Sequence, residues 1–158
     1  MNKNNLYQRQ FMGARSMLLI MTAFTIVNIV AYWFELNFML PFSAFLPFTI
    51  FDFAYFFSIE WADPNLLIYG IIFASLIILF YFLGFILSKK QPAWLTMMFA
   101  MYIVDTLIMV YLFTAVFYFN TTMILDILFH IWVLYYLIMG VRAVKKLKQL
   151  PEEENVLE

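Results

Sequence analysis

This chain has no cysteine, a single histidine, four glycines and, over long stretches, almost no charge. The missing thiols exclude disulfides, thiolate metal sites and cysteine nucleophiles, and leave the redox compartment open. Four scattered glycines make no loop that could cradle a phosphate. Charged residues are 12% of the 158, and the nine basic ones form no groove-like set among aromatics, so no nucleic-acid partner is expected. No cofactor motif is present either.

What is there is apolar. Hydrophobic residues make up 66% of the chain and aromatics 22%, with a mean hydropathy of +0.90. A water-soluble domain is about 45–50% apolar and about 25% charged. A core of this size cannot hide the excess, so the expected class is an all-α integral membrane protein whose first partner is the lipid bilayer.

Apolar runs at 16–34, 66–87, 92–118 and 121–141 each approach or exceed the roughly 20 residues that a helix needs to cross hydrocarbon. They predict a four-transmembrane-helix bundle, a single domain over 1–150. The first run is too long for a signal peptide and leads into "AYWFELNF" rather than a small-residue cleavage site, so it reads as a retained span. Only "FNTT" separates the last two runs, which makes them an antiparallel pair. "SKKQP" joins the second and third as tightly, with Pro92 suited to a helix's first turn.

Four spans place Lys3, Arg9, Arg15, Lys89, Lys90, Arg142, Lys145, Lys146 and Lys148 on one side. Glu35, Glu60 and Asp63 fall on the other, which carries no basic residue. By the positive-inside rule both termini are cytoplasmic. Trp33, Trp61 and Trp94 stand at span ends, where amphipathic rings meet the interface.

One segment resists the count. "LNFMLPFSAFLPFTIFDFAYFFSI", 36–59, could cover about 36 Å as a continuous helix. A fifth span would put Lys89 and Lys90 outside, and Pro41 and Pro47 break it, since each removes a donor and clashes with the preceding turn. Broken backbone at membrane depth survives only inside protein or against a water-filled cavity. The segment therefore reads as a hairpin between spans one and two, re-entrant or flat at the interface, with 41–47 non-helical and a short helix from about Pro47 to Ile59. The N-terminal 15 residues suggest a short interfacial helix using Leu6, Phe11 and Met12, and 151–158 a disordered acidic tail.

The chemistry-bearing residues lie where charge is most expensive. "DILFHIW" sets Asp126 four residues before His130, and "MYIVDTLIMV" isolates Asp105. At about 1.5 Å per residue, His130 and Asp105 reach similar depths halfway along adjacent spans. An aspartate at a helix centre costs about 2.5–3.5 kcal/mol even on a lenient insertion scale, so all three should face inward, with Asp105 and His130 in contact. Asn28, with Thr22, Thr25 and Tyr32 along its helix, would complete the ring. Such a cluster is either a proton or cation site, or neutral hydrogen-bonded glue between helices. If the hairpin re-enters, the positive end of its helix would accept an anionic group, flanked by Ser43 and Asp52.

Enzyme signatures are missing. "PFSAF" lacks the glycines that flank an intramembrane serine nucleophile, and "YIVDT" lacks the Gly-x-Gly-Asp of intramembrane aspartyl proteases. Asp126-x-x-x-His130 offers two metal ligands on one helix face, where zinc takes three or four. Gly70 with Ala74, and Gly84 with Ser88, are small-residue steps that let helices approach closely.

"GARSMLLIMTAFTIVNIVAYWF" followed by "LPFSAFLPF" resembles small multi-span membrane proteins of Gram-positive bacteria, over the first third of the chain. The resemblance implies a bacterial plasma membrane and carries no functional residue. The function expected is the binding or transport of an ion or small polar solute at the Asp/His site. The alternative is a non-catalytic accessory, either partner-binding or immunity-type. With no internal repeat, a transporter would act as a homo-oligomer, and an accessory beside a larger membrane partner.

Single cysteines introduced near Lys3, Lys89 and Lys148 should resist an impermeant thiol reagent in intact cells, whereas one at Asp63 should react. Labelling near Lys89 from outside would mean that 36–59 crosses the membrane and would end the four-span topology.

Overall fold

The computed structural model describes residues 3–36, 38–115 and 121–149. Five α-helices follow one another: α1 (Lys3–Trp33), α2 (Phe45–Glu60), α3 (Pro64–Leu87), α4 (Ala93–Ala115) and α5 (Thr121–Leu147). No strand occurs among the described residues. α1, α3, α4 and α5 are each long and apolar enough to cross a membrane, which suggests a membrane-embedded protein.

Three boundaries differ from expectation, the start of α2 among them. The N-terminal segment is no separate interfacial helix but the start of α1, which runs unbroken for 31 residues. Nothing in it stops a helix: it has no proline, and Gly13 packs against Tyr136 of α5. α5 continues past 141 to Leu147 because Ala143, Val144 and Leu147 still have a buried face to occupy. The end of the 92–118 run and the 151–158 tail lie outside the described residues.

The core forms from helical stripes at three- and four-residue spacing. α1 buries Phe11, Ala14, Leu18, Met21, Thr25 and Asn28, while α5 buries Val133, Leu137 and Val144. Leu95, Met98 and Tyr102 of α4 close the middle. The outer faces stay apolar, as Ile68, Phe73 and Leu76 on α3 and Leu107 and Tyr111 on α4 are exposed. Such an exterior suits hydrocarbon rather than water.

Polar contacts set the ends of the elements. Glu35 takes a left-handed conformation (φ 53°) and lets the Leu36 N–H donate to the Ala31 carbonyl at 2.8 Å, which closes α1. Asp63 caps α3 by accepting from the Asn65 N–H at 3.0 Å, with Pro64 as its first residue. At the far end of α3 the Arg15 guanidinium donates to the Ser88 hydroxyl (3.0 Å) and the Phe85 carbonyl (3.1 Å), and so clamps α1 to the α3–α4 turn.

After α1 the chain doubles back along it. Leu40 pairs with Asn28 and Ala44 with Thr25, so successive residues of the segment lie against successively deeper positions of α1. α2 then starts at Phe45 and returns, packed on α3 where Gly70 meets Ala54. The helix thus begins two residues ahead of Pro47, so the expected non-helical stretch 41–47 is corrected to 41–44. Proline is harmless in a first turn, where its missing N–H would have no intrahelical partner.

A side chain added at Gly140 would overlap the Cβ of Ala14 and come within 2.9 Å of Leu95 Cδ2. At Gly84 it would overlap Sδ and Cγ of Met98, which is wholly buried in the core. Gly140→Ala should therefore cost about 1–3 kcal/mol, because a helix axis must shift. Gly84→Ala should cost less, about 1 kcal/mol, because buried Met98 must repack while alanine's helix preference offsets part of the strain. Reversible unfolding in mixed micelles, followed by circular dichroism, measures both.

Candidate functional site

The site begins with a problem in backbone hydrogen bonding. A helix leaves its first amide N–H groups without intrahelical acceptors, and those of α2 are inside the protein. Ala44, at the N-cap position, is 1% exposed and has no side chain that could cap. Other helices supply the acceptors. The Ala44 N–H donates to Thr25 Oγ1 of α1 at 2.8 Å, and that hydroxyl passes its own proton to the Met21 carbonyl at 2.8 Å. The Phe45 N–H donates to Asp105 Oδ2 of α4 at 3.0 Å, and the Leu46 N–H to Asp105 Oδ1 at 2.7 Å. Pro47 has no N–H. The first turn of α2 is fully satisfied, by two side chains from two other helices.

Asp105 is 1% exposed and lies halfway along α4. Its charge meets the positive end of the α2 dipole, and a second positive partner completes it. His130 of α5, 5% exposed, sets Nε2 3.2 Å from Asp105 Oδ2 and Nδ1 2.9 Å from the Asp126 carbonyl oxygen. A carbonyl can only accept, so Nδ1 carries a hydrogen. Were Nε2 bare, its lone pair would face a carboxylate oxygen. A proton between His130 and Asp105 relieves that repulsion. Two backbone N–H donors already favour the carboxylate, which assigns that proton to the ring and makes the pair imidazolium and carboxylate. The Tyr102 ring stacks on the imidazolium, with centroids 5.2 Å apart and planes 9° apart, an arrangement that favours a cation.

Above this pair lies a cleft of about 250 Å³. Ala44, Phe45 and His130 contribute to its lining from below, and Ser43, Thr49, Asp52 and Asp126 bring polar groups. Phe48 and Phe113 are aromatic walls. The Tyr32 hydroxyl donates to Asp52 Oδ1 at 2.5 Å and fixes that carboxylate on α2. Among the described residues His130–Asp105 is the one ion pair, and the cleft carboxylates Asp52 and Asp126 form none. No three His, Cys, Asp or Glu side chains among the described residues are grouped to hold a metal ion.

The residues singled out in the sequence divide into two sets. Asp105 and His130 meet directly. Ser43, Asp52, Asp126 and His130 converge on the cleft, although the hairpin residues and the α5 residues are far apart in the chain. Two expectations are corrected. Asp126 does not face the interior with the pair: its side chain is exposed, and only its backbone carbonyl reaches His130. Near the start of α5 its carboxylate lines the cleft. Asn28 does not join a ring with Asp105. Its Oδ1 accepts from the Leu40 N–H at 2.7 Å and its Nδ2 donates to the Leu40 carbonyl at 2.9 Å, in the manner of a paired peptide group. The positive end of α2 is likewise occupied by Asp105 and is not free for an anionic ligand.

The sequence reading missed Thr49 and Tyr102. Thr49 depends on the phase of α2, which the two prolines obscured. Tyr102 was open to inference, since it precedes Asp105 by three residues and so shares its helix face.

Compared with protein families, with curated proteins and with solved structures, the chain matches none. The geometry alone carries the functional reading.

Both Asp105 oxygens accept backbone protons, so asparagine is a poor substitute: it has one acceptor, and its amide group would confront an N–H. Asp105→Asn should lower unfolding free energy by about 3–5 kcal/mol, the usual cost of breaking a buried pair on one side. Amide hydrogen exchange at Phe45 and Leu46 should accelerate ahead of the rest of α2. A loss below about 1 kcal/mol with unchanged exchange would show that the cap contributes little.

Proposed function

We propose that this chain is a bacterial plasma-membrane protein with four spans, both termini in the cytoplasm and residues 36–59 as a re-entrant hairpin, and that it binds a small organic cation in the α2–α4–α5 cleft for passage across the bilayer. The four apolar helices and their apolar outer faces support insertion. The one-sided distribution of basic residues supports the orientation. The inward start of α2 supports re-entry, because unpaired backbone cannot face lipid.

One observation carries the choice of ligand. Asp105 is paired with His130, while Asp52 and Asp126 on the cleft form no ion pair with a described residue. The cleft is therefore negative, and Phe48 and Phe113 add aromatic faces that attract an ammonium group by about 0.5–2 kcal/mol each. A bare metal ion would need several converging oxygen ligands. An organic cation needs one or two carboxylates and an apolar wall, and the cleft has both. The hairpin that forms part of its base is held by side chains rather than by continuous helix, which makes it the natural moving element. With no internal repeat, alternating exposure would come from a homo-oligomer.

The test uses protein in lipid nanodiscs and tetramethylammonium as the probe, followed by calorimetry. Binding is expected with a Kd of about 1 mM or tighter, and Asp52→Asn and Asp126→Asn should each weaken it about tenfold, or 1.4 kcal/mol. Equal affinity in the wild type and the double variant would reject the cleft as the cation site.

A further inference from the structure

Resting on that reading, we propose that the cleft is an exchange site: a cation entering between Asp52 and Asp126 expels the proton that His130 holds against Asp105. The ring that lines the cleft is the same ring that pairs with the capping carboxylate. A cation drawn to Asp126 arrives within one helical turn of an imidazolium on the same helix face. Two positive charges that close, inside protein, repel far more strongly than in water. One of them is held only by a proton that can leave through the cleft.

The step breaks the Nε2–H bond of His130 and releases H⁺ to water in the cleft. The electron pair stays on Nε2, and the ring keeps its Nδ1–H on the Asp126 carbonyl. Before binding, the imidazolium and the carboxylates of Asp105, Asp52 and Asp126 sum to −2. After exchange the cation replaces the imidazolium charge, and the sum is again −2. The site therefore keeps its net charge, and the cation in the cleft takes over from the imidazolium in compensating Asp105.

Other groups that titrate around His130 are few. Asp105 and Tyr102 face it from α4, Asp126 lies on its own helix, Asp52 stands across the cleft on α2 with Tyr32 of α1 bonded to it, and Tyr81 of α3 stands near Asp105 and Tyr102. The tyrosines are neutral in ordinary buffers. Protonating Asp52 or Asp126 would also weaken cation binding in acid, so the origin of the proton has to be read at the ring itself.

The chain has one histidine, which makes that reading direct. Protein labelled with ¹⁵N-histidine in nanodiscs should give one imidazole spectrum, with both nitrogens protonated in the absence of probe. Saturating tetramethylammonium should convert it to a neutral ring with the hydrogen on Nδ1. About one proton should appear per bound probe, and the apparent affinity should rise up to tenfold per pH unit while the free protein holds that proton. His130→Gln, whose amide can still donate to Asp105, should bind the probe more tightly and release no proton. A ring that stays doubly protonated with probe bound overturns the exchange and leaves the cleft as a plain cation site. Proton release that persists in His130→Gln overturns it as well, by placing the proton on Asp52 or Asp126. If the wild type does not bind tetramethylammonium, the cation reading itself fails and the exchange falls with it.

Discussion

The constraint on which this structure depends is that backbone amides hidden from water must find acceptors. The hairpin breaks its hydrogen-bond ladder inside the protein and exposes a helix start there. An unsatisfied buried donor costs about 1–3 kcal/mol, and several together would exclude the fold. Thr25, Asn28 and Asp105 remove that cost from two different helices. The left-handed conformation of Phe42 (φ 64°), unusual for a bulky residue, is held between these anchors, with its ring 4.6 Å from that of Phe129.

That solution creates a second requirement. A carboxylate at the centre of an apolar bundle needs charge compensation beyond a helix dipole, and His130 supplies it. The histidine is oriented by its own helix, through the carbonyl four residues earlier. Because the ring also lines the cleft, the element that stabilises the hairpin is open to whatever occupies the cleft. Structural and chemical roles thus meet in one imidazole, and α2 is the part whose anchoring would register a change in its charge.

The remaining contacts keep these distances short. Gly140 lets α5 lie against Ala14 of α1, Gly70 lets α3 lie against α2, and Arg15 ties α1 to the α3–α4 turn. The two glycines give close apolar contact, and Arg15 adds a polar tie at the end of α3.

Helix number and the existence of a broken hairpin were legible in the residues. Apolar runs of span length force helices, and Pro41 and Pro47 forbid a continuous one at 36–59. The burial of Asp105 and His130 was legible too, since charge so far from a span end has nowhere else to go. Which partner each polar group takes was not. Asn28 and Asp105 were both expected in one ring, and only the path of the inserted segment decided that Asn28 pairs with Leu40 and Asp105 with the start of α2. Asp126 shares a helix face with His130, yet one turn along α5 carries it from the interior to the cleft. Sequence determined which residues must avoid lipid, because that cost belongs to each residue alone. Pairing belongs to two residues on different helices, and the packing that brings them together exists only in the folded chain.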